Sequence, residues 1–156
     1  MDAIWQILIG LLTIYVLGLG VGPLLKYAQN TESLRAPTEA IQDKWAALTS
    51  GDEGGKILGK LERLAFFGAF WIDAPVFVGA WLAFKVASKW NAWSNVISVP
   101  KTISGIDEID YLISRRRWGS QVLMTFLIGT LSNIIIGFLG VVVGRHGYEL
   151  VRSLFS

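Results

Sequence analysis

Three apolar stretches in this chain are each long enough to cross a bilayer, and they limit its folds more than anything else in it. Ile4–Leu25 and Trp118–Gly144 contain no charged residue at all. Leu64–Phe84 has Asp73 as its sole charge, and the segment it opens extends to about residue 87. A helix needs about 20 apolar residues to span roughly 30 Å of hydrocarbon. The expectation is an all-α integral membrane protein. It has three hydrophobic helical segments, at about 4–25, 64–87 and 118–144, joined by polar connections at 26–63 and 88–117 and ending in a tail at 145–156.

Composition fits this class. The chain is 53% apolar, has seven Trp and is 17% charged, with nearly all of the charge outside the three segments. The connections are too short to build a water-soluble core of any size, so residues 1–156 read as a single membrane domain. The absence of Cys excludes disulfides, iron–sulfur clusters and thiolate zinc sites. A net charge of +2 gives no footing for nucleic acid. The first segment reads as a retained transmembrane helix: Met1-Asp2-Ala3 lacks Lys and Arg, the apolar run exceeds a signal-peptide core, and no small-x-small cleavage site follows Leu25.

The connections carry amphipathic patterns. Pro37 stands at a plausible first helical position, and Ile41, Trp45 and Leu48 follow at spacings of four and three. This short helix either packs on the spans or lies among the headgroups. Ser50–Gly55 reads as a hinge, with a second helix from Lys56. In the second connection, Lys89, Trp90 and Trp93 suit headgroup depth. Ser104-Gly-Ile-Asp107 has capping-box spacing, and Ile106, Ile109 and Ile113 form a stripe leading to Arg115-Arg116-Arg117-Trp118. At the far end, Arg145 and His146 suit a helix C-terminus with Gly147 just past it.

Two topologies compete for the middle segment. Lys and Arg favour the cytoplasmic side. The first connection carries six (Lys26, Arg35, Lys44, Lys56, Lys60, Arg63), and the second carries six (Lys85, Lys89, Lys101, Arg115, Arg116, Arg117). The tail carries two, Arg145 and Arg152. Three full crossings put 6 + 2 = 8 inside against 6 outside, whereas a re-entrant middle segment puts 6 + 6 = 12 inside against 2. Ile72-Asp73-Ala74-Pro75 offers a break for the second arrangement, since Pro removes a backbone donor. Length argues the other way: at a helical rise of about 1.5 Å per residue, Leu64–Phe84 reaches roughly 31 Å, enough for one crossing. The expectation is a single span kinked at Pro75, with re-entry as the alternative.

Few polar groups lie within the apolar segments. A carboxylate at the bilayer centre costs about 2.5–3.5 kcal/mol on insertion scales, so Asp73 is either an ion or proton ligand on a watery path or a partner for backbone freed by Pro75. In the third segment Gln121, Thr125, Gly129, Asn133, Gly137, Gly140 and Gly144 recur at spacings of four and three, on one helix face. Such a small and polar face packs closely on another helix or lines a narrow pore. Gly18-xxx-Gly22 repeats the small-xxx-small pattern. Arg115, Arg116 and Arg117 with Trp118 suit an anchor that binds anionic lipid headgroups. His146 has no Cys or carboxylate cluster near it in sequence, so no metal site is expected. Nor does any nucleophile, phosphate loop or carboxylate pair point to an enzyme.

Three segments carry a resemblance. Gly55–Arg63 (GKILGKLER), Ala83-Phe84-Lys85 and Phe126–Leu131 (FLIGTL) resemble the C-terminal part of a family of uncharacterised bacterial integral membrane proteins, which reads roughly G-x-x-I-G-x-L-E-R, a span, A-A-K, a basic connection, then E-Y-F-L-I-G-T. The resemblance covers about two-thirds of the chain and departs at Met124-Thr125, where the family has Glu-Tyr. The N-terminal segment has no counterpart. It implies a bacterial inner membrane location and no particular activity.

Together these readings predict a small multi-pass membrane protein that binds membrane lipids, needs no cofactor and assembles as a homo-oligomer or with a heteromeric membrane partner. The leading functional expectation is an oligomeric channel or pore, with Asp73, Gln121, Thr125 and Asn133 on its path. The alternative is a non-conducting anchor or accessory subunit, gripped through Gly18, Gly22, Gly129, Gly137, Gly140 and Gly144.

Overall fold

The computed structural model describes residues 2–30, 53–95 and 108–154, which are helical apart from two short turns. α1 (Asp2–Gly18) and α2 (Val21–Asn30) carry the first apolar segment and are separated at Leu19-Gly20. Pro23 explains the interruption, because it has no N–H to offer the Leu19 carbonyl one turn back. Together the two helices supply an apolar stretch, Ala3–Ala28, long enough to cross a membrane. A second such stretch is Leu123–Gly147, within α5 (Glu108–Leu154).

The middle segment is not one kinked helix. It is a hairpin of α3 (Glu53–Trp71) and α4 (Pro75–Asn95). The Asp73 N–H donates to the Phe70 carbonyl at 3.3 Å, and the Ala74 N–H to the Ala69 carbonyl at 2.8 Å. Asp73 has φ 55°. This pair of bonds around a left-handed residue is the Schellman cap that ends many helices. Pro75 then occupies the first position of α4, where its missing N–H costs nothing and its fixed φ suits the helix. Ala74, as the residue before a proline, is steered away from helical geometry. The length argument for a single crossing fails because Ile72-Asp73-Ala74-Pro75 terminates one helix and starts the next.

The chain doubles back at this turn. Glu62, on the arm before Asp73, meets Lys85, on the arm after it. α3 lies parallel to α5: Phe66 packs at Gly137, and Trp71 lies beside Arg145. α1 and α2 run antiparallel to α5, with Gln6 at Gly144, Gly10 at Gly140 and Leu25 at Gly129. The C-terminal ends of α2 and α4 and the N-terminal ends of α3 and α5 therefore share one end of the bundle. That end collects Lys26, Lys56, Lys60, Lys89 and Arg115–Arg117, while Asp73, Arg145, His146 and Glu149 stand toward the other; Arg63 and Lys85 lie between, beside Gly18 and Thr130.

Glycines set the closest contacts. A Cβ at Gly140 would stand 3.2 Å from the Gly10 carbonyl oxygen, and one at Gly144 would stand 2.5 Å from that of Gln6. A Cβ at Gly137 would come 2.9 Å from the Phe66 Cβ. Backbone meets backbone at these crossings, which is how helices pack where no hydrophobic force separates them from their surroundings. Ile14, Phe67, Ile136 and Val141 fill one core, and Phe66, Ala69 and Val78 fill another. Outward, Ile4, Leu8, Leu12, Tyr15 and Leu19 on the first segment and Leu131, Ile135 and Phe138 on α5 are exposed.

Several sequence expectations shift at element ends. α3 starts at Glu53, so Gly54 and Gly55 belong to a helix rather than to a hinge. α5 runs through Arg145, His146 and Gly147 to Leu154 instead of ending there. At Gly147 an added Cβ would make only ordinary contacts, 3.6 Å from Val143 and 3.9 Å from Ile9 of α1, so the helix continues through this glycine without a close approach that demands it. Glu108 through Trp118 are continuous with the long apolar helix. The Pro37–Leu48 helix and the Ser104–Asp107 capping box lie outside the described residues.

Candidate functional site: a buried polar cluster between three helices

The polar groups brought together inside this bundle are Glu62, Trp81, Lys85, Thr130 and Asn133. Glu62 is 2% exposed, although it lies in a helix whose neighbours Leu61 and Leu64 face outward. Its position follows from the helical repeat: residues 59, 62, 66 and 69 form the face of α3 turned toward α5, with Gly59 leaving room beside Asn133. From the opposite arm, α4 contributes Trp81 and Lys85, one turn apart and so on one face. α5 contributes Thr130 and Asn133, again one turn apart. Both lie near the middle of the Leu123–Gly147 stretch.

The contacts converge on the carboxylate. The Lys85 ammonium lies 2.6 Å from Glu62 Oε1, and Trp81 Nε1 donates to the same oxygen at 3.0 Å. Asn133 Nδ2 donates to Oε2 at 3.1 Å. Lys85 Nζ also donates to Thr130 Oγ1 at 2.8 Å and lies 4.6 Å from the Phe126 ring centroid. Thr130 in turn donates to the Phe126 carbonyl at 3.0 Å. With Lys85 at 13% side-chain exposure, both charges are largely withdrawn from water. Desolvating two ions is costly, and their attraction offsets the cost only where further hydrogen bonds satisfy them. Trp81, Thr130 and Asn133 supply those bonds. One atom is left over: Asn133 Oδ1 is buried without a hydrogen-bond partner among the described residues.

Of the residues singled out in sequence, only Asn133 belongs to this cluster. Asp73 is exposed in the turn, about three helical turns (roughly 16 Å) along α3 from Glu62, and is not at mid-helix depth. Thr125 is half-buried, next to Phe126 in sequence and five residues before Thr130. Gln121, Arg115, Arg117 and Trp118 lie on α5, with Gln121, Arg115 and Arg117 side chains and that of Trp118 outside the described residues, and Arg116 is exposed. Gly137, Gly140 and Gly144 lie at helix crossings within this one chain, and Gly129 adjoins Leu25. Gly18 faces the Arg63 guanidinium, while Gly22 has nothing within 4 Å. His146 is exposed, 3.9 Å from Glu149.

Sequence reasoning missed Glu62, Trp81, Lys85 and Thr130 of the cluster, and Gly10 at the α1–α5 crossing. Glu62 and Lys85 fall at the margins of the middle segment, where charges read as loop residues. The segments 55–63, 83–85 and 126–131 contain Gly59 and Glu62, Lys85, and Phe126 with Thr130. Segments far apart in sequence thus meet at one cluster.

At the hairpin tip, Arg145 reaches across from α5. Its Nη2 donates to the Trp71 carbonyl at 2.8 Å, and the guanidinium carbon lies 5.3 Å from the Trp71 ring centroid. The cation meets the negative end of the α3 dipole.

Comparison of the chain with protein-family models, curated proteins and solved structures finds no match.

Proposed function

We propose that this chain is a non-conducting membrane subunit, in which a two-span frame (α1–α2 and α5) holds a helical hairpin entering and leaving from the cytoplasmic side. The observation that carries this reading is the closure of the polar cluster: Glu62 is bound by Lys85, Trp81 and Asn133 of the same chain. A conducting path needs polar groups open to water along its length. Here Asn133 is 4% exposed and bonded to a carboxylate, while Asp73 stands exposed in the turn at the hairpin tip, so neither supplies an open polar path through the bundle.

The orientation rests on charge. The ends of α2, α3, α4 and α5 that lead into the two connections lie together, so among the described residues Lys26, Lys56, Lys60, Lys89 and Arg115–Arg117 stand toward one end of the bundle and Arg145 and Arg152 toward the other. That asymmetry is the one expected of a chain whose basic connections stay in the cytoplasm. The N-terminus and the tail would both lie across the membrane from them. The exposed apolar faces of α1 and α5 suit lipid or the helices of another membrane subunit. The resemblance in the three cluster-forming segments supports a bacterial inner membrane.

Two measurements test the proposal. Single cysteines at Ala47 and Ala92, in a chain that has none, should be labelled from the same side of sealed vesicles. Labelling from opposite sides would reject the hairpin topology. Purified protein in planar bilayers should stay electrically silent under varied voltage, tension and pH. Discrete conductance that disappears with the protein would restore the pore reading.

A further inference from the structure

Given the membrane placement proposed above, we infer that the cleft between α2 and α3 holds the headgroup of an anionic phospholipid, with Arg63 and Lys60 gripping its phosphate.

One face of α3 changes character along its length. Phe67, Arg63, Lys60 and Lys56 follow one another at spacings of four, three and four, so they share that face. At Phe67 it is covered by α1: the ring edge lies 2.6 Å from where a Cβ at Gly10 would stand, and Phe67 is buried. One turn back along α3, Arg63 lies against Gly18, the last residue of α1, where any side chain would overlap the guanidinium. The first segment breaks just beyond, at Leu19-Gly20, and the cover ends there. Lys60 and Lys56 are exposed, and a Cβ at Gly22 of α2 would have nothing within 4 Å. The face that α1 fills is therefore open beside α2.

Arg63 is left with donors to spare. Its Nε donates to the Gly59 carbonyl at 3.2 Å, which turns the guanidinium back along α3 toward the basic end. Nη1 and Nη2 have no hydrogen-bond partner among the described residues. A guanidinium with free terminal nitrogens presents the fork that takes two phosphate oxygens at once. Lys60 and Lys56 follow it on α3. Lys26 of α2 comes level with them, since Leu25 sits at Gly129, one turn before the Asn133 that adjoins Gly59. None of these four cations has a carboxylate partner among the described residues. Basic pockets between membrane helices on the cytoplasmic side attract anionic headgroups.

The order of groups along α3 fits a lipid better than a soluble anion. On the strip next to the cations, Leu61 and Leu64 are exposed and a Cβ at Gly68 would have nothing within 4 Å, so an open apolar surface runs from the cations toward the bilayer interior. A headgroup on Arg63 and Lys60 lays its acyl chains along that strip. A zwitterionic headgroup brings its own ammonium into the cationic cleft, and like charges at close range repel.

Native mass spectrometry of the purified chain, titrated with dioleoyl phosphatidylglycerol or phosphatidylcholine, tests the assignment. Wild type should bind phosphatidylglycerol several-fold more tightly. Arg63→Gln and Lys60→Gln should each weaken that binding about fivefold, the worth of one basic group beside anionic lipid. Gly18→Ala removes no charge yet should weaken it too, because the added methyl displaces the guanidinium. Lys89→Gln, which takes one charge from the same end of the bundle on α4, should change it little. Equal binding of the two lipids by wild type overturns the inference, as does a loss in Lys89→Gln that matches Lys60→Gln. Displacement of phosphatidylglycerol by millimolar inorganic phosphate also overturns it, by assigning Arg63 to a soluble anion. Should Arg63→Gln or Gly18→Ala fail to fold, Lys60→Gln against Lys89→Gln decides, because Lys60 is exposed. Cysteine labelling at Ala47 and Ala92 reports the topology separately, so a correctly inserted chain without lipid preference fails this inference alone.

Discussion

Arg145 holds the Trp71 carbonyl at 2.8 Å and covers the ring of the same residue, 74 positions away in sequence. The last turn of a helix leaves carbonyls without intrahelical donors. The Schellman bonds from Asp73 and Ala74 satisfy those of Phe70 and Ala69, and Arg145 satisfies the next. The hairpin tip is therefore closed by its own turn and by α5 together.

Arg145→Ala should destabilise the folded protein by about 1.5–3 kcal/mol, the range for hydrogen bonds to charged groups. Arg145→Lys should recover part of that loss, because a point charge keeps the dipole contact but forfeits the planar stacking on Trp71. Unfolding midpoints in one detergent would check the order: wild type, then Lys, then Ala.

Asp73 makes a different prediction because its φ is 55°. Asn and Gly tolerate the left-handed region, while a β-branched side chain does not. Asp73→Gly and Asp73→Asn should leave stability within about 1 kcal/mol of wild type, and Asp73→Val should cost about 1–2 kcal/mol. An equal loss from Asn and Val would mean that the carboxylate, and not the backbone, matters at this position.

The same residue marks where the sequence could be read and where it could not. Ile4–Leu25 and Trp118–Gly144 were legible as helices because composition alone decides their class. The break at Ile72–Pro75 was visible, but its severity was not. A proline within a long apolar run produces either a kink or a new helix start, and the difference lies in the φ of Asp73 and the bonds of Ala74. Glu62 and Lys85 were hidden for another reason. Each is an ordinary boundary charge until the hairpin brings the two together. The glycine face of α5 was legible by spacing, yet its partner was not, because the isolated Gly10 matches no repeat.

That glycine face yields a third prediction. Gly137→Leu and Gly140→Leu should disrupt the fold of the single chain, since the added atoms meet the backbone of Phe67 and Gly10. Overpacking of this kind costs about 1–3 kcal/mol, more where backbone cannot yield. Gly22→Leu should be tolerated, as nothing stands within 4 Å of the added carbon. Ile135→Leu, outward-facing and nearly volume-conserving, should be neutral. Thermal unfolding of the four purified variants tests the ordering. Loss of oligomers alone, with unfolding unchanged in Gly137→Leu and Gly140→Leu, would place this face between copies of the chain.

The buried pair gives the sharpest stability test. Removing one member strands the other's charge in a dry interior, so Glu62→Ala and Lys85→Ala should each cost about 3–5 kcal/mol. Glu62→Leu/Lys85→Met fills similar volume without charge and should return part of that stability, because well-packed apolar substitutes often match a buried ion pair. The double variant leaves Trp81 Nε1 and Asn133 Nδ2 without their acceptor, a penalty of about 1–3 kcal/mol per unsatisfied group. Adding Asn133→Leu and Trp81→Phe should therefore raise stability further. The order expected from denaturant unfolding is single variants lowest, double variant higher, quadruple variant highest of the three. If the losses of the two single variants instead add in the double variant, Glu62 and Lys85 act independently, and the cluster is not the fastening between the arms of the hairpin.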